Sequence, residues 1–185
     1  MTHAIARLDR VQATDMDALN RVATSTVDFD NGWVAQLLTQ STTAGQKETW
    51  LATIPSATAG LKNLWMAYSP EVVEIITAGG NVYKGIDVDP QNFYSATGEF
   101  IDFFKPEPGD LITLTADALG GTKASASYVQ VDATASSYKL VWGTASTVAG
   151  LSLTYVATTF VSKPAGAISG ADQTVAYQFQ VASIA

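Results

Sequence analysis

The stretch that most constrains this chain lies near its C-terminal end. Val175, Tyr177, Phe179 and Val181 alternate there with Thr174, Ala176, Gln178 and Gln180. Period two sends successive side chains to opposite faces of an extended backbone, so one face is buried and the other meets water. The first four are therefore expected to face a core. The same rhythm recurs upstream. Ile112, Leu114 and Ala116 alternate with Thr113 and Thr115, and Val129 and Val131 with Gln130 and Asp132. Tyr138, Leu140 and Trp142 alternate with Lys139 and Val141, and Leu151, Leu153 and Tyr155 with Ser152 and Thr154. Such segments, separated by Gly-, Ser- and Ala-rich turns, predict an antiparallel barrel or sandwich. No strand–helix rhythm is present, which argues against a doubly wound parallel sheet. The fold class expected is all-β, an antiparallel β-barrel or sandwich with an extended N-terminal arm and long loops.

The β pattern begins at Gly32. Trp33, Ala35 and Leu37 alternate with Val34, Gln36 and Leu38. Thr49 to Ile54 reads as a second strand stopped by Pro55, and Leu64 to Tyr68 as a third ended by Ser69-Pro70. The apolar run Val72-Val73-Glu74-Ile75-Ile76 is broken by Ala78-Gly79-Gly80-Asn81, which is turn chemistry. Residues 87–98 read as a loop, and Glu99 to Phe104 is short and aromatic. In Lys105-Pro106-Glu107-Pro108-Gly109-Asp110 two prolines fix φ and a glycine permits the reversal, so a rigid turn is expected. Ahead of Gly32 the pattern is poor: Ile5, Leu8 and Val11 suit neither a clean strand nor a long helix. Asp15 to Val22 admits a short helix with Thr14 as N-cap, and the whole segment equally admits an extended arm. The expected organisation is an N-terminal arm or edge element over residues 1–31 and a β-rich domain over residues 32–185.

Composition narrows the function classes. Hydrophobic residues make up 47% of the 185, enough for a buried core. Charged residues are only 15%, against roughly 25% in an average soluble protein; Ala, Thr, Ser and Gly replace them, and such a weakly hydrated surface suits protein contacts. The net charge is −7. All three arginines, Arg7, Arg10 and Arg21, precede Asn31, and the seven lysines are scattered beyond them. No basic cluster is placed to neutralise several phosphates, so nucleic acid is not an expected partner, and the acidic balance argues against an anionic membrane. Cysteine is absent, which excludes disulfides, thiolate catalysis and Cys-ligated metals. Met1 to Arg7 lacks the apolar core of a signal peptide.

Candidate chemistry is sparse. The single histidine, His3, lies in a terminal segment of the kind that is often loosely ordered, so a Ser-His-acid arrangement is not expected. Asp28 and Asp30 flank Phe29, and Asp87 and Asp89 flank Val88; at this spacing two carboxylates on a strand share a face, as an acid–base or metal pair requires. Asp28-Phe29-Asp30-Asn31-Gly32 departs from a calcium loop, because its glycine comes one residue early and no closing Glu follows. Turn chemistry and solvated acids account for both pairs. Gly79-Gly80 and Gly120-Gly121 lack the lysine and helix start of a phosphate loop. Trp33, Trp50, Trp65, Tyr138 and Trp142 sit in alternating or apolar stretches, which points to core or subunit-interface packing rather than a glycan platform. No catalytic residue, cofactor or metal is expected.

A succession of short motifs carries a family resemblance. In order they are Asp30-Asn31-Gly32-Trp33-Val34, Ala52-Thr53-Ile54-Pro55, Tyr68-Ser69-Pro70-Glu71-Val72-Val73, Pro108-Gly109-Asp110-Leu111-Ile112-Thr113-Leu114-Thr115, and the strands Tyr128-Val129-Gln130-Val131 and Tyr138-Lys139-Leu140-Val141. From about Ile5 to Ile184 the chain resembles small proteins of tailed bacteriophages that are typically encoded beside the major capsid protein and decorate or stabilise the head. Some relatives carry a basic segment where this chain has the aromatic and acidic stretch Asn92 to Phe104, so contacts made there do not carry over. The resemblance implies a non-enzymatic virion structural protein, made in the host cytoplasm and located on the head surface. Its implied partners are the major capsid protein and further copies of itself. Arg7, Arg10 and Arg21 are the expected capsid contacts. Two other readings stay open: a tail or baseplate component, and a carbohydrate-binding or adhesin-like β-sandwich module.

Overall fold

The computed structural model describes residues 2–14, 17–43, 45–56, 61, 63–76, 82–86, 90–132, 137–143, 150–162 and 173–183. Among them the chain is β throughout, and helix is confined to single 3-10 turns at Gln12–Thr14, Asp17–Leu19, Pro90–Asn92 and Ala116–Ala118. Strands are numbered in chain order. Seven form one sheet in the order β1 (Ala6–Arg10), β9 (Leu111–Thr115), β14 (Gln173–Ser183), β13 (Ser152–Ser162), β11 (Tyr128–Val131), β12 (Leu140–Gly143) and β10 (Leu119–Gly120). Five close into a barrel: β2 (Asn20–Thr24), β4 (Trp50–Thr53), β3 (Val34–Gln40), β5 (Leu64–Ala67) and β8 (Phe100–Phe104). β6 (Val72–Ile76) and β7 (Val82–Ile86) pair as a separate hairpin. All pairings are antiparallel except β2 with β4 and β10 with β12. The expected all-β fold is thus the observed one.

The barrel interior is small, and its residues fit that size. Ala23, Ala35, Ala52 and Ala67 point inward beside Leu37, Trp65, Ile101, Phe103 and Phe29, so small and large side chains fill a narrow taper together. The alternate residues of the same strands turn outward. Val34, Leu64, Met66 and Phe104 meet Ile112, Leu114, Val129, Leu140, Leu153, Phe179 and Val181 of the large sheet in a second core. β5 and the first half of β3 are therefore buried on both faces, β8 joins them there only at Phe104, and these sequences read as apolar runs rather than clean alternations.

Burial on β14 follows the expected face but fades along it. Phe179 and Val181 are buried and Tyr177 packs at the core margin, while Val175 is 39% exposed. The reason is topological: β9 pairs β14 only from Ala176 to Gln180, so the β13–β14 hairpin runs on past the layer that would cover Val175.

The described residues ahead of Gly32 are built into both layers. β1 pairs with β9 at the end of the large sheet, and β2 joins β4 to β8 to close the barrel. Ala4, Ala6, Val11 and Ala13 belong to the core between the layers, and Ile5 packs with Val161 and Ala176 on the opposite face of the sheet. Alanines pack here alongside Ile5 and Val11, with Leu8 at the core margin. Asp15 and Met16 of the expected helix lie outside the described residues; its C-terminal part is a 3-10 turn followed by β2 from Asn20.

Two joints lock the layers. Gly32 has φ +85°, and a Cβ there would lie 2.7 Å from Leu114 Cδ2 and 3.4 Å from the Cβ atoms of Ala6 and Ala118. Beside it the buried Asn31 amide donates to the Ser69 carbonyl at 3.0 Å and accepts the Ser69 N–H at 2.8 Å. The second joint is Asp110, in the Pro-Gly-Asp turn. Its buried carboxylate accepts the Gln12 N–H at 3.0 Å and the Glu107 N–H at 2.8 Å, tying the turn to the N-terminal segment.

Two outcomes follow for stability. Phe179→Ala should lower the unfolding free energy by about 3–5 kcal/mol, while Val175→Ala should stay within about 1 kcal/mol; urea titration of both variants compares them, and equal losses would show that the face is misplaced. Deleting residues 1–21 removes β1 and part of β2, so the shortened chain should lose its cooperative thermal transition, as followed by circular dichroism.

Candidate interaction surface

The outward residues of β2 and β8 line a groove of about 1030 Å³. Its register explains its character. Ala23, Ile101 and Phe103 point into the barrel, so Val22, Phe100 and Asp102 between them point out. Leu8, Tyr68, Pro70 and residues 45–49 complete its lining. Phe100 is 59% exposed, the largest value among the described large apolar side chains, and Val22 and Tyr68 are also exposed. Exposed apolar area gathered in one concavity is uncommon on a monomer and marks binding surfaces.

Polar groups frame the groove. The Tyr68 N–H donates to the Asp102 carbonyl, and the Asp102 N–H donates to Ser69 Oγ, both near 2.9 Å. Burial raises the Asp102 carboxyl above its ordinary range. Burial likewise raises Glu71, against which the Arg7 guanidinium acts. The Tyr68 phenol is raised by burial first and by Glu71 second, with Arg7 again opposing.

The three arginines do not form one patch. Arg21 lines the groove; its guanidinium stands 5.4 Å from the centre of the Trp65 ring, and Nη1 donates to the Asn20 carbonyl at 2.9 Å. It shares a side of β2 with inward-facing Ala23 and lies across from Phe103, so it sits over the barrel mouth. Arg7 lines a separate polar depression of about 260 Å³ on the outer face of the large sheet. There Asp9 accepts hydrogen bonds from Thr113 Oγ1 at 2.6 Å and Gln178 Nε2 at 2.9 Å. Arg10 is exposed at the end of β1, opposite Leu111 in register, and lines neither depression.

The candidate acid pair is divided between two structural tasks. Asp28 accepts from the Thr97 N–H and Oγ1, both at 3.0 Å. Asp30 accepts from His3 Nδ1 at 2.8 Å and the Ala4 N–H at 3.1 Å. His3 is held rather than loose: its ring also stacks on Tyr94 with centroids 4.5 Å apart. Asp87 and Asp89 lie outside the described residues, as does the Gly79-Gly80 turn. Among the described residues no three His, Asp or Glu side chains gather as metal ligands would.

The aromatic residues are largely absorbed into packing. Phe29 meets Trp33, Phe103 and Tyr138 edge-on, and Trp33 and Tyr138 stack at 6.1 Å. Tyr138 precedes β12 instead of belonging to it. Its carbonyl accepts the Val34 N–H at 2.8 Å and its ring packs against the barrel core. Burial raises its phenol, and a hydrogen bond with the Ser25 side chain opposes that. Trp142 packs against Tyr155, Tyr177 and Phe179 of the large sheet. The groove was not anticipated as a site. Its signal was present in the run Phe100-Ile101-Asp102-Phe103-Phe104, but three phenylalanines in five residues do not say which one faces water.

No protein-family model, curated protein or solved structure matches this chain.

The electrostatics around the groove residue Tyr68 are testable by titration. A carboxyl raised in the folded state favours its neutral form there, so stability linked to Glu71 is present below the ordinary value of 4.5 and falls as pH rises through the interval up to its raised value. Glu71→Gln should flatten that decline. Arg7→Met removes the opposing charge and should raise the Glu71 midpoint further, as read from its side-chain carboxyl resonance. An unmoved midpoint would show that the two groups do not interact.

Proposed function

We propose that this chain is a non-enzymatic virion structural protein that binds the outside of a phage capsid as a decoration or cement protein, with the barrel groove as its main contact. The observation that carries the reading is the groove itself, where Phe100, Val22 and Tyr68 expose apolar surface beside Arg21 and Asp102. Interfaces combine an apolar centre rich in aromatic residues and arginine with a polar rim. A loop of the major capsid protein seated there covers Phe100 and meets the guanidinium of Arg21, whose planar fork suits carboxylates and carbonyls. Arg7 and Arg10, exposed on β1, extend the contact outside the groove.

The motifs behind the resemblance support the reading from another side, because they are the joints of the fold. Asn31-Gly32 and Ser69 meet in one hydrogen-bonded lock, and Asp110 ties the Pro-Gly-Asp turn to the N-terminal segment. The chain's low charge leaves few ionic groups to desolvate on a shell.

Binding to purified phage heads that lack the protein tests this. The wild-type chain should co-sediment with heads and saturate. Phe100→Asp should weaken binding at least about tenfold, the effect of losing one central anchor, while its unfolding curve matches wild type. Failure of the wild-type chain to bind heads overturns the reading; undiminished binding by Phe100→Asp moves the contact away from the groove.

A further inference from the structure

Among the described residues, the β13–β14 hairpin has one edge without a strand beside it. β11 pairs with β13 only from Ser152 to Thr154, and the Tyr155 N–H still reaches the Ser127 carbonyl at 2.9 Å. The register then shifts between Tyr155 and Ala157, and from Ala157 to Ser162 the strand is regular, paired residue by residue with β14. Among the described residues nothing pairs with its other side. Unpaired backbone donors and acceptors on a long edge are a template for another strand, and proteins usually guard such edges with charge, proline or a covering element. Ser152 to Ser162 contains neither a charged residue nor a proline. The hairpin also shows apolar side chains to solvent: Val156 is 50% exposed, Phe160 is 55% exposed, and Phe160 stands across from Val175.

We propose that the edge of β13 from Val156 to Ser162 pairs antiparallel with the same edge of a second copy of this chain, forming one continuous sheet across a twofold axis. Charge permits a second copy here, and the register symmetry selects it. The chain carries a net charge of −7, so copies repel at most surfaces, but along this edge no charge faces its like. Symmetry suits the sequence too. A twofold axis perpendicular to the sheet keeps each residue on its face, and an isologous contact repeats every pairing twice. Centred on Thr159, the pairing sets Thr158 opposite Phe160 and Ala157 opposite Val161 in both directions. Each Phe160 ring then lies between Val175 of its own hairpin and Thr158 of the other copy, with the second Phe160 on the diagonal. Such aromatic and β-branched neighbours stabilise paired strands. The inference goes beyond capsid binding. It is read in the isolated protein, whereas the capsid reading is tested with heads, so either can fail alone.

The test uses the full chain. Sedimentation velocity across the micromolar range should show a reversible monomer–dimer equilibrium. Phe160→Lys places two like charges in the contact and should weaken dimerisation at least about tenfold, with an unchanged circular dichroism spectrum and melting curve because Phe160 is exposed. A cysteine supplies a direct readout in a chain that has none. Thr159→Cys puts the new thiols across the axis at cross-strand distance, near the range a disulfide spans. Mild oxidation should give a covalent dimer from Thr159→Cys and none from the exposed-loop control Thr122→Cys. A wild-type chain that stays monomeric throughout overturns the proposal. So does a dimer that Phe160→Lys leaves intact, or one that Phe100→Lys disperses instead, since that result places the interface in the groove.

Discussion

The missing side chain at Gly32 is what lets the barrel and the large sheet meet. Leu114 Cδ2 occupies the space a Cβ would need, with the Cβ atoms of Ala6 and Ala118 at contact distance around it, and the positive φ turns the backbone into β3. From that point the hydrogen bonding is fixed: the Gly32 N–H donates to the Ala67 carbonyl, the Ala67 N–H to the Trp33 carbonyl, and the Val34 N–H to the Tyr138 carbonyl. β3 and β5 are thereby presented with Ala35, Trp65 and Ala67 inward and Val34, Leu64 and Met66 toward the other layer. Any side chain at residue 32 would press the layers apart where close packing leaves least room to yield. The neighbouring Asn31–Ser69 pair works in the same place, replacing ladder hydrogen bonds where both chains leave regular pairing.

How far the sequence discloses this fold depends on how many faces each strand buries. β11 and β14 have a wetter face, and their alternation is plain in Val129-Gln130-Val131 and Tyr177-Gln178-Phe179. β3, β5 and β8 serve two cores at once, so their strand character shows but their orientation does not. The N-terminal segment was least legible because Ala4, Ala6, Ala13 and Ala23 carry its packing, and alanine is too common in any context to signal burial. Pro108-Gly109-Asp110 announces a turn, but that the carboxylate also holds Gln12 is a long-range fact no local pattern contains. Phe100 and Arg21 are hidden for a similar reason: the register that turns one outward and sets the other over Trp65 exists only once β2 has found β8.

The molecule divides its chemistry between faces. The outer face of the large sheet carries the Asp9, Thr113 and Gln178 network and Arg7 near it. The barrel wall carries Phe100, Val22 and Tyr68. The acids Asp28 and Asp30 serve the architecture, with Asp28 bonding Thr97 and Asp30 bonding His3 and Ala4. Carboxylates spent on backbone N–H groups fix chain paths where no regular pairing is available.

The position of β14 has a consequence for synthesis. The last of the fourteen described strands lies inside the large sheet, between β9 and β13. All five barrel strands precede residue 105, so the barrel can close while later residues are still being made. β9 and β13 then lack the neighbour that joins them until residues 173–183 emerge, and non-local strands of this kind are the slow step of β folding. In the interval the closed barrel turns Val34, Leu64, Met66 and Phe104 toward solvent, the stripe the finished sheet covers. The nascent chain is thus stickiest midway through translation, and the pace of the ribosome, more than the stability of the finished fold, sets how long that stripe is open to neighbours.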